Sequence, residues 1–199
     1  MIVSLRRKSF SQLVFSLSLL IAFPAYAHVG AGAVDGFAHG VQHPLLGADH
    51  LCAMLAVGLW ASQSGGRSLW LVPLTFVGVM ALGGLSGMAA MPLPFVEGGI
   101  LMSLLVLGVL VAAAVRLPLA ASVALVGLFA LFHGHAHGAE MPHDASGLRY
   151  ALGFMLSTAA LHLAGIAIAS ALGHIGRPQW LRLIGASVAA FGGALFFIG

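Results

Sequence analysis

Six long apolar segments follow one another with little polar sequence between them, and that succession decides what this chain can fold into. They run Leu45–Ser62, Leu69–Ala90, Phe95–Val115, Pro118–Phe132, Leu148–Leu172 and Gln179–Ile198. A helix of ~20 apolar residues crosses the hydrocarbon core of a bilayer. At this hydrophobicity only helices satisfy every backbone N–H and C=O inside lipid. The connections are short and hold Gly65-Gly66-Arg67, Met91-Pro92-Leu93-Pro94, Arg116-Leu117-Pro118 and Gly176-Arg177-Pro178. Such residues end helices, because proline lacks an N–H and glycine disfavours helix interiors. The expected fold is all-α: a polytopic integral membrane protein, a six-helix transmembrane bundle. Composition agrees, with 60% hydrophobic and 7% charged residues among 199. A soluble domain carries ~25% charged residues, and disorder needs low hydrophobicity with high charge.

Residues 1–27 read as a secretory signal peptide, leaving 28–199 as the transmembrane domain. Arg6-Arg7-Lys8 forms the charged region, Phe10 to Phe23 the apolar region, and Ala25-Tyr26-Ala27 the cleavage site. Cleavage places the new N-terminus, His28, outside. Alternating helices then put Arg67, Arg116, Arg177 and Arg182 in cytoplasmic connections and Arg149 outside. Four against one obeys the positive-inside rule. The expected location is a bacterial inner membrane with a periplasmic mature N-terminus. Beyond residue 8 five arginines face five acids and no lysine remains. That excludes the basic footprint of nucleic-acid binding and the lysine of a Walker A loop. Cys52 is the single cysteine, so no disulfide framework exists. Gly83 and Gly87 form a GxxxG pair suited to close helix packing.

Ten histidines outnumber the five acids. The first cluster is His39-Gly40-Val41-Gln42-His43-Pro44-Leu45-Leu46-Gly47-Ala48-Asp49-His50. Proline suits a first helical turn, so the first span is expected to begin at Pro44 with His43 at its mouth. Residues 43 and 50, seven apart, would share one helix face. Asp49 enters the membrane by about a turn, where an uncompensated carboxylate is costly. A divalent cation would compensate it.

The second cluster is His133-Gly134-His135-Ala136-His137-Gly138-Ala139-Glu140, with His143 beyond. His133, His137 and Glu140 stand at i, i+4 and i+7, one helical face that can converge on one metal. Neutral imidazole suits Zn, Ni, Cu and Fe, and carboxylate adds hardness and charge. His135 points elsewhere and, with His143, is expected to tolerate replacement. Glu97 starts the third span on the same outer side. His162 lies within the fifth, and His28 would join a free amine to an imidazole. The expected metal residues are therefore His43, Asp49, His50, His133, His137 and Glu140, with Glu97, His162 and His28 as further candidates.

The stretches His43-Pro44-x-x-Gly47-x-Asp49-His50 and Phe132-His133-Gly134-x-Ala136-His137-Gly138-x-Glu140 resemble the HupE/UreJ family, as does Leu161-His162-Leu163-Ala164-Gly165. The resemblance spans essentially the whole mature chain. It implies a small permease associated with hydrogenase or urease that imports nickel, with cobalt carried by some members of the wider family. It also implies that His43, Asp49, His50, His137 and Glu140 are motif residues. The first motif is similar to the H-x4-D-H of larger nickel/cobalt transporters, although five residues separate His43 from Asp49 here.

The expected function is thus a non-enzymatic secondary permease with no permanent cofactor and Ni²⁺ or Co²⁺ as cargo. The candidate partners are the ion, the lipid bilayer, further copies in a homo-oligomer, and an outer-membrane or periplasmic metal supplier. Two alternatives stand beside it. A periplasm-facing metal sensor or storage protein would usually carry a soluble output domain, for which the loops leave no room. A membrane di-iron oxidase needs about eight ligands, usually on the cytoplasmic face.

Overall fold

The computed structural model describes residues 36–141 and 146–198. The expected signal peptide, His28 and His143 lie outside the described residues. Seven helices form among them: α1 Gly36–Leu46, α2 Ala48–Ser64, α3 Ser68–Met88, α4 Val96–Ala113, α5 Leu119–Ala139, α6 Gly147–His174 and α7 Pro178–Ile198. The fold is all-helical, as expected. Helices α3 to α7 are each long and apolar enough to cross a membrane. A sixth span arises if α1 and α2, bent by 83° to each other, count as one.

That bend corrects the expected start of the first span. Pro44 lies inside α1, in its last turn. A proline there removes one backbone donor and crowds the carbonyl four residues back. The helix stops two residues later, Gly47 takes an extended conformation, and α2 begins afresh at Ala48. His43 and His50 therefore do not share one straight helix face. They approach each other across a corner.

Inside and outside are distributed as a bilayer requires. Leu74, Leu82, Leu85, Leu128, Leu156 and Leu163 are exposed along the spans. Ser103, Ser122, His133, His137, Thr158 and His162 are buried. Apolar side chains face outward and polar ones face the bundle interior, where intramembrane polar groups find partners.

Small residues set how near the helices come. A Cβ on Gly134 of α5 would collide with the Met80 carbonyl of α3, and one on Gly138 with the Gly84 carbonyl. In the other direction, a Cβ on Gly83 would meet the Leu131 carbonyl and one on Gly87 the His135 carbonyl. The GxxxG pair on α3 thus faces a second GxxxG pair on α5, and the two backbones touch. Gly58 of α2 and Gly165 of α6 make a similar contact beside His162. The glycines of the second histidine motif are packing residues, and they carry α5 on through Ala139. The expected end at Phe132 is seven residues short, because histidine and glycine are not apolar and are buried by contacts with neighbouring helices rather than by hydropathy.

The end of the bundle away from the histidines is tied by polar bonds to backbone carbonyls. Trp60 Nε1 donates to Val115 O at 2.8 Å, Gln63 Nε2 to Val111 O at 3.1 Å and Arg182 Nε to Ala112 O at 2.7 Å. Arg116 Nε donates to Gln63 O at 3.0 Å. Arg67, Arg116, Arg177 and Arg182 therefore gather at one end and the clustered histidines, with Arg149, at the other.

Candidate metal centre

The corner between α1 and α2 meets the last turns of α5 and the first turns of α6. Four imidazoles crowd together there. The His43 ring centroid is 4.6 Å from that of His137, and His50 lies 4.3 Å from His137 and 5.0 Å from His133. Two donor groups result. His50, His133 and His137 form one, and His43, His137 and Glu140 the other, each with ligand atoms within 4.8 Å of one another. His137 belongs to both. Its ring is backed by Phe154, 4.1 Å away between centroids. A cavity of about 40 Å³, lined by Met80, Gly84, Met88, His137, Tyr150 and Phe154 among others, reaches its side.

Hydrogen bonds decide which nitrogen each ring offers. The Asp49 carboxylate can only accept, so His50 donates its Nδ1–H to Oδ1 at 2.8 Å. The lone pair of His50 is left on Nε2, which is buried and unpartnered. Ser103 has one hydroxyl proton, and it goes to the Ile100 carbonyl at 2.6 Å. Ser103 Oγ must then accept from His133 Nε2–H at 2.9 Å. The lone pair of His133 is on Nδ1, again buried without a partner. His43 donates Nε2–H to Glu140 Oε2 at 3.0 Å. In His137 neither ring nitrogen has a partner.

Buried polar groups are nearly always hydrogen-bonded, and exceptions call for an explanation. Three neighbouring rings with unused nitrogens are explained by a ligand that accepts lone pairs. Pinning the second nitrogen to a carboxylate or hydroxyl is how proteins orient metal-binding histidines. The hydrogen bond from His43 holds the Glu140 carboxyl below its usual range, against an opposing push from partial burial.

The sequence-derived residues do not all meet here. Asp49 stands behind His50 and belongs to neither donor group. Glu97 is exposed in the first turn of α4, outside both groups. His162 is buried deeper, with both ring nitrogens unpartnered. Its ring is edge-on to Phe76 at 5.2 Å, and Phe76 is 5.6 Å from His133. His135 is not a spare loop histidine. It is buried, and its Nδ1 bonds Ser86 Oγ of α3 at 3.0 Å. Ser103, Ser86 and Phe76 escaped the sequence reading, because a lone serine or phenylalanine in an apolar helix has no spacing to mark it.

The sequence matches the family described as "HupE / UreJ protein" over residues 16–195. This chain belongs to the HupE/UreJ family. A relative, "Protein HupE" of Rhizobium leguminosarum bv. viciae, is 44% identical over 189 residues, covering 94% of this chain and 97% of that protein. No solved structure matches. The centre described above is thus a feature of a multi-pass HupE/UreJ membrane protein. Its first donor group is built from both motifs that carried the resemblance, and its second from the same two.

Proposed function

We propose that this HupE/UreJ protein is a secondary permease that imports Ni²⁺, with Co²⁺ as the second candidate cargo, for metalloenzyme maturation. The observation that carries the reading is the set of buried imidazole nitrogens without partners on His50, His133 and His137. They sit where a helix bundle opens at one end. Nitrogen-rich donors with one carboxylate suit Ni²⁺ and Co²⁺ and disfavour Mg²⁺ and Ca²⁺, which take oxygen. His43, His137 and Glu140 collect the ion at the mouth, and His50, oriented by Asp49, receives it with His133. His162, beyond Phe76, lies further along α6 toward the arginine-rich end.

The arginine bias supports a periplasmic mouth in an inner membrane. A negative interior then draws the cation inward with ~2.3 kcal/mol per charge per 100 mV, twice that for a divalent ion. Conduction also needs ligands that release the ion, and imidazoles with few charges behind them meet that need.

The test is uptake of radioactive Ni²⁺ into cells with and without the chain, competed by Co²⁺, Zn²⁺ and Mg²⁺. Accumulation should require the chain, fall with excess Co²⁺ and ignore Mg²⁺. Equal accumulation in both strains would end this reading.

A further inference from the structure

Among the four clustered imidazoles, three have a ring nitrogen anchored. His43 is held by Glu140, His50 by Asp49 and His133 by Ser103. His137 has no anchor on either nitrogen. Its ring stands between those of His43 and His50, and it is the one ligand common to both donor groups. It also lines a cavity of about 40 Å³ beside the donor groups.

We infer that the two donor groups are overlapping metal positions filled one at a time, and that His137 stays on the ion as it passes between them. This rests on the transport reading above. In the outer position the ion is held by His43, His137 and Glu140. In the inner one it is held by His50, His133 and His137. Moving inward, the ion exchanges His43 and Glu140 for His50 and His133, so it is never stripped to bare water-like coordination inside the protein. An anchored His137 would bind one position well and obstruct the exchange. An unanchored one serves both.

The two positions differ in chemistry. The outer one includes a carboxylate and accepts divalent ions broadly. The inner one offers three neutral nitrogens, with the Asp49 charge reaching the ion only through His50. Such a set rejects Mg²⁺ and Ca²⁺. The inner position is therefore the discriminating one. Double occupancy is disfavoured, because a neutral His137 has a single lone pair and completes one shell at a time, and two divalent ions so close would repel.

The experiment uses the full chain in nanodiscs, with equilibrium dialysis of Ni²⁺ and the visible absorption of Co²⁺ as probes. The wild type should bind one ion at saturation. Glu140→Ala should still bind one Co²⁺, with a spectrum from nitrogen ligands and unaffected by Mg²⁺. His133→Ala should still bind one, with Mg²⁺ now competing. His137→Ala and the volume-conserving His137→Gln should each lose at least a hundredfold in affinity at an unchanged melting temperature. Two ions per wild-type chain would overturn the proposal. So would wild-type affinity in His137→Gln, or complete loss of binding in Glu140→Ala. Proteoliposomes separate the two readings. No Ni²⁺ flux through a wild type that binds as described refutes transport and leaves the paired site. Normal flux with wild-type binding in His137→Gln refutes the pairing and leaves transport.

Discussion

A buried imidazole presents its lone pair toward a metal only if its other nitrogen carries the proton and something accepts it. Ser103 does this for His133, and it is itself fully buried. Ser103→Ala removes the acceptor and frees the ring to flip. Loss of such supporting partners costs 10- to 100-fold in metal affinity, and the stranded N–H costs about 1–3 kcal/mol of stability. Ser103→Thr keeps the hydroxyl and its bond to the i−3 carbonyl, and should recover most of the affinity. Dialysis of Ni²⁺ against the three proteins checks this, and equal affinities would remove Ser103 from the site. Glu140 bears on pH. Its folded-state pKa is depressed by His43. The stability from its pairing is therefore present above the unfolded carboxylate value and is lost as pH falls through the lower folded one. Between about pH 7 and pH 5.5 it stays ionised. Metal ligands must be deprotonated, so metal binding competes with protons and releases them. Ni²⁺ affinity should fall on acidification, and Glu140→Gln should bind more weakly at both pH values with the same steepness. A flat profile in Glu140→Gln would show that the carboxylate is the titrating group.

At the scale of elements, the contact of α3 with α5 holds His133 and His137 in place, and its glycines are the most exacting positions. A Cβ on Gly138 would strike the Gly84 backbone, whereas one on Gly127, further along the same helix, would meet Thr75 Cγ2 at 3.7 Å and Val79 Cγ2 at 3.8 Å. Gly138→Ala should destabilise by about 1–3 kcal/mol through overpacking and weaken Ni²⁺ binding as well. Gly127→Ala should be tolerated and keep wild-type binding. Melting temperature and dialysis on both variants decide it, and equal behaviour would show that the motif glycine is not a packing residue. The same helices show how far the sequence could be read. Hydropathy located α3, α4, α6 and α7 within a few residues, since lipid-facing leucines leave long apolar runs. It lost the end of α5, where burial comes from backbone contact rather than apolar side chains. It also missed α1, starting the first span only at the last residues of that helix, because a short segment of His, Gly and Pro has neither apolar length nor clean periodicity. The convergence of the two motifs at one end followed from counting helices. The partition into two donor groups did not, since it depends on the corner at Gly47 and on Ser103, which no motif ties to His133.

Over the whole molecule, the histidine centre and the arginine-bonded end lie at opposite ends of the bundle, so the direction of transport reduces to which end faces out. Arg116 and Arg182 both bond backbone carbonyls near the α4 terminus, which seats those charges at one membrane boundary. Positive charge is retained on the cytoplasmic side, so under the proposed import reading the donor groups are expected to face the periplasm. Cysteine labelling reads this directly. Met91, in the α3–α4 connection at the histidine end, and Ile175, in the α6–α7 connection at the other, are 58% and 68% exposed. Each can be replaced by cysteine in a Cys52→Ala background without entering a helix contact. Gly138 is unsuitable for this purpose, because any side chain there meets Gly84. In intact spheroplasts a membrane-impermeant thiol reagent should label Met91→Cys and leave Ile175→Cys untouched until the membrane is opened. Pre-incubation with Ni²⁺ should leave labelling of Met91→Cys unchanged, since that position is no part of the donor groups. Labelling of Ile175→Cys alone would place the donor groups on the cytoplasmic face. Import drawn by the membrane potential, which favours inward movement of a divalent cation, would then have no capture site at its outer mouth.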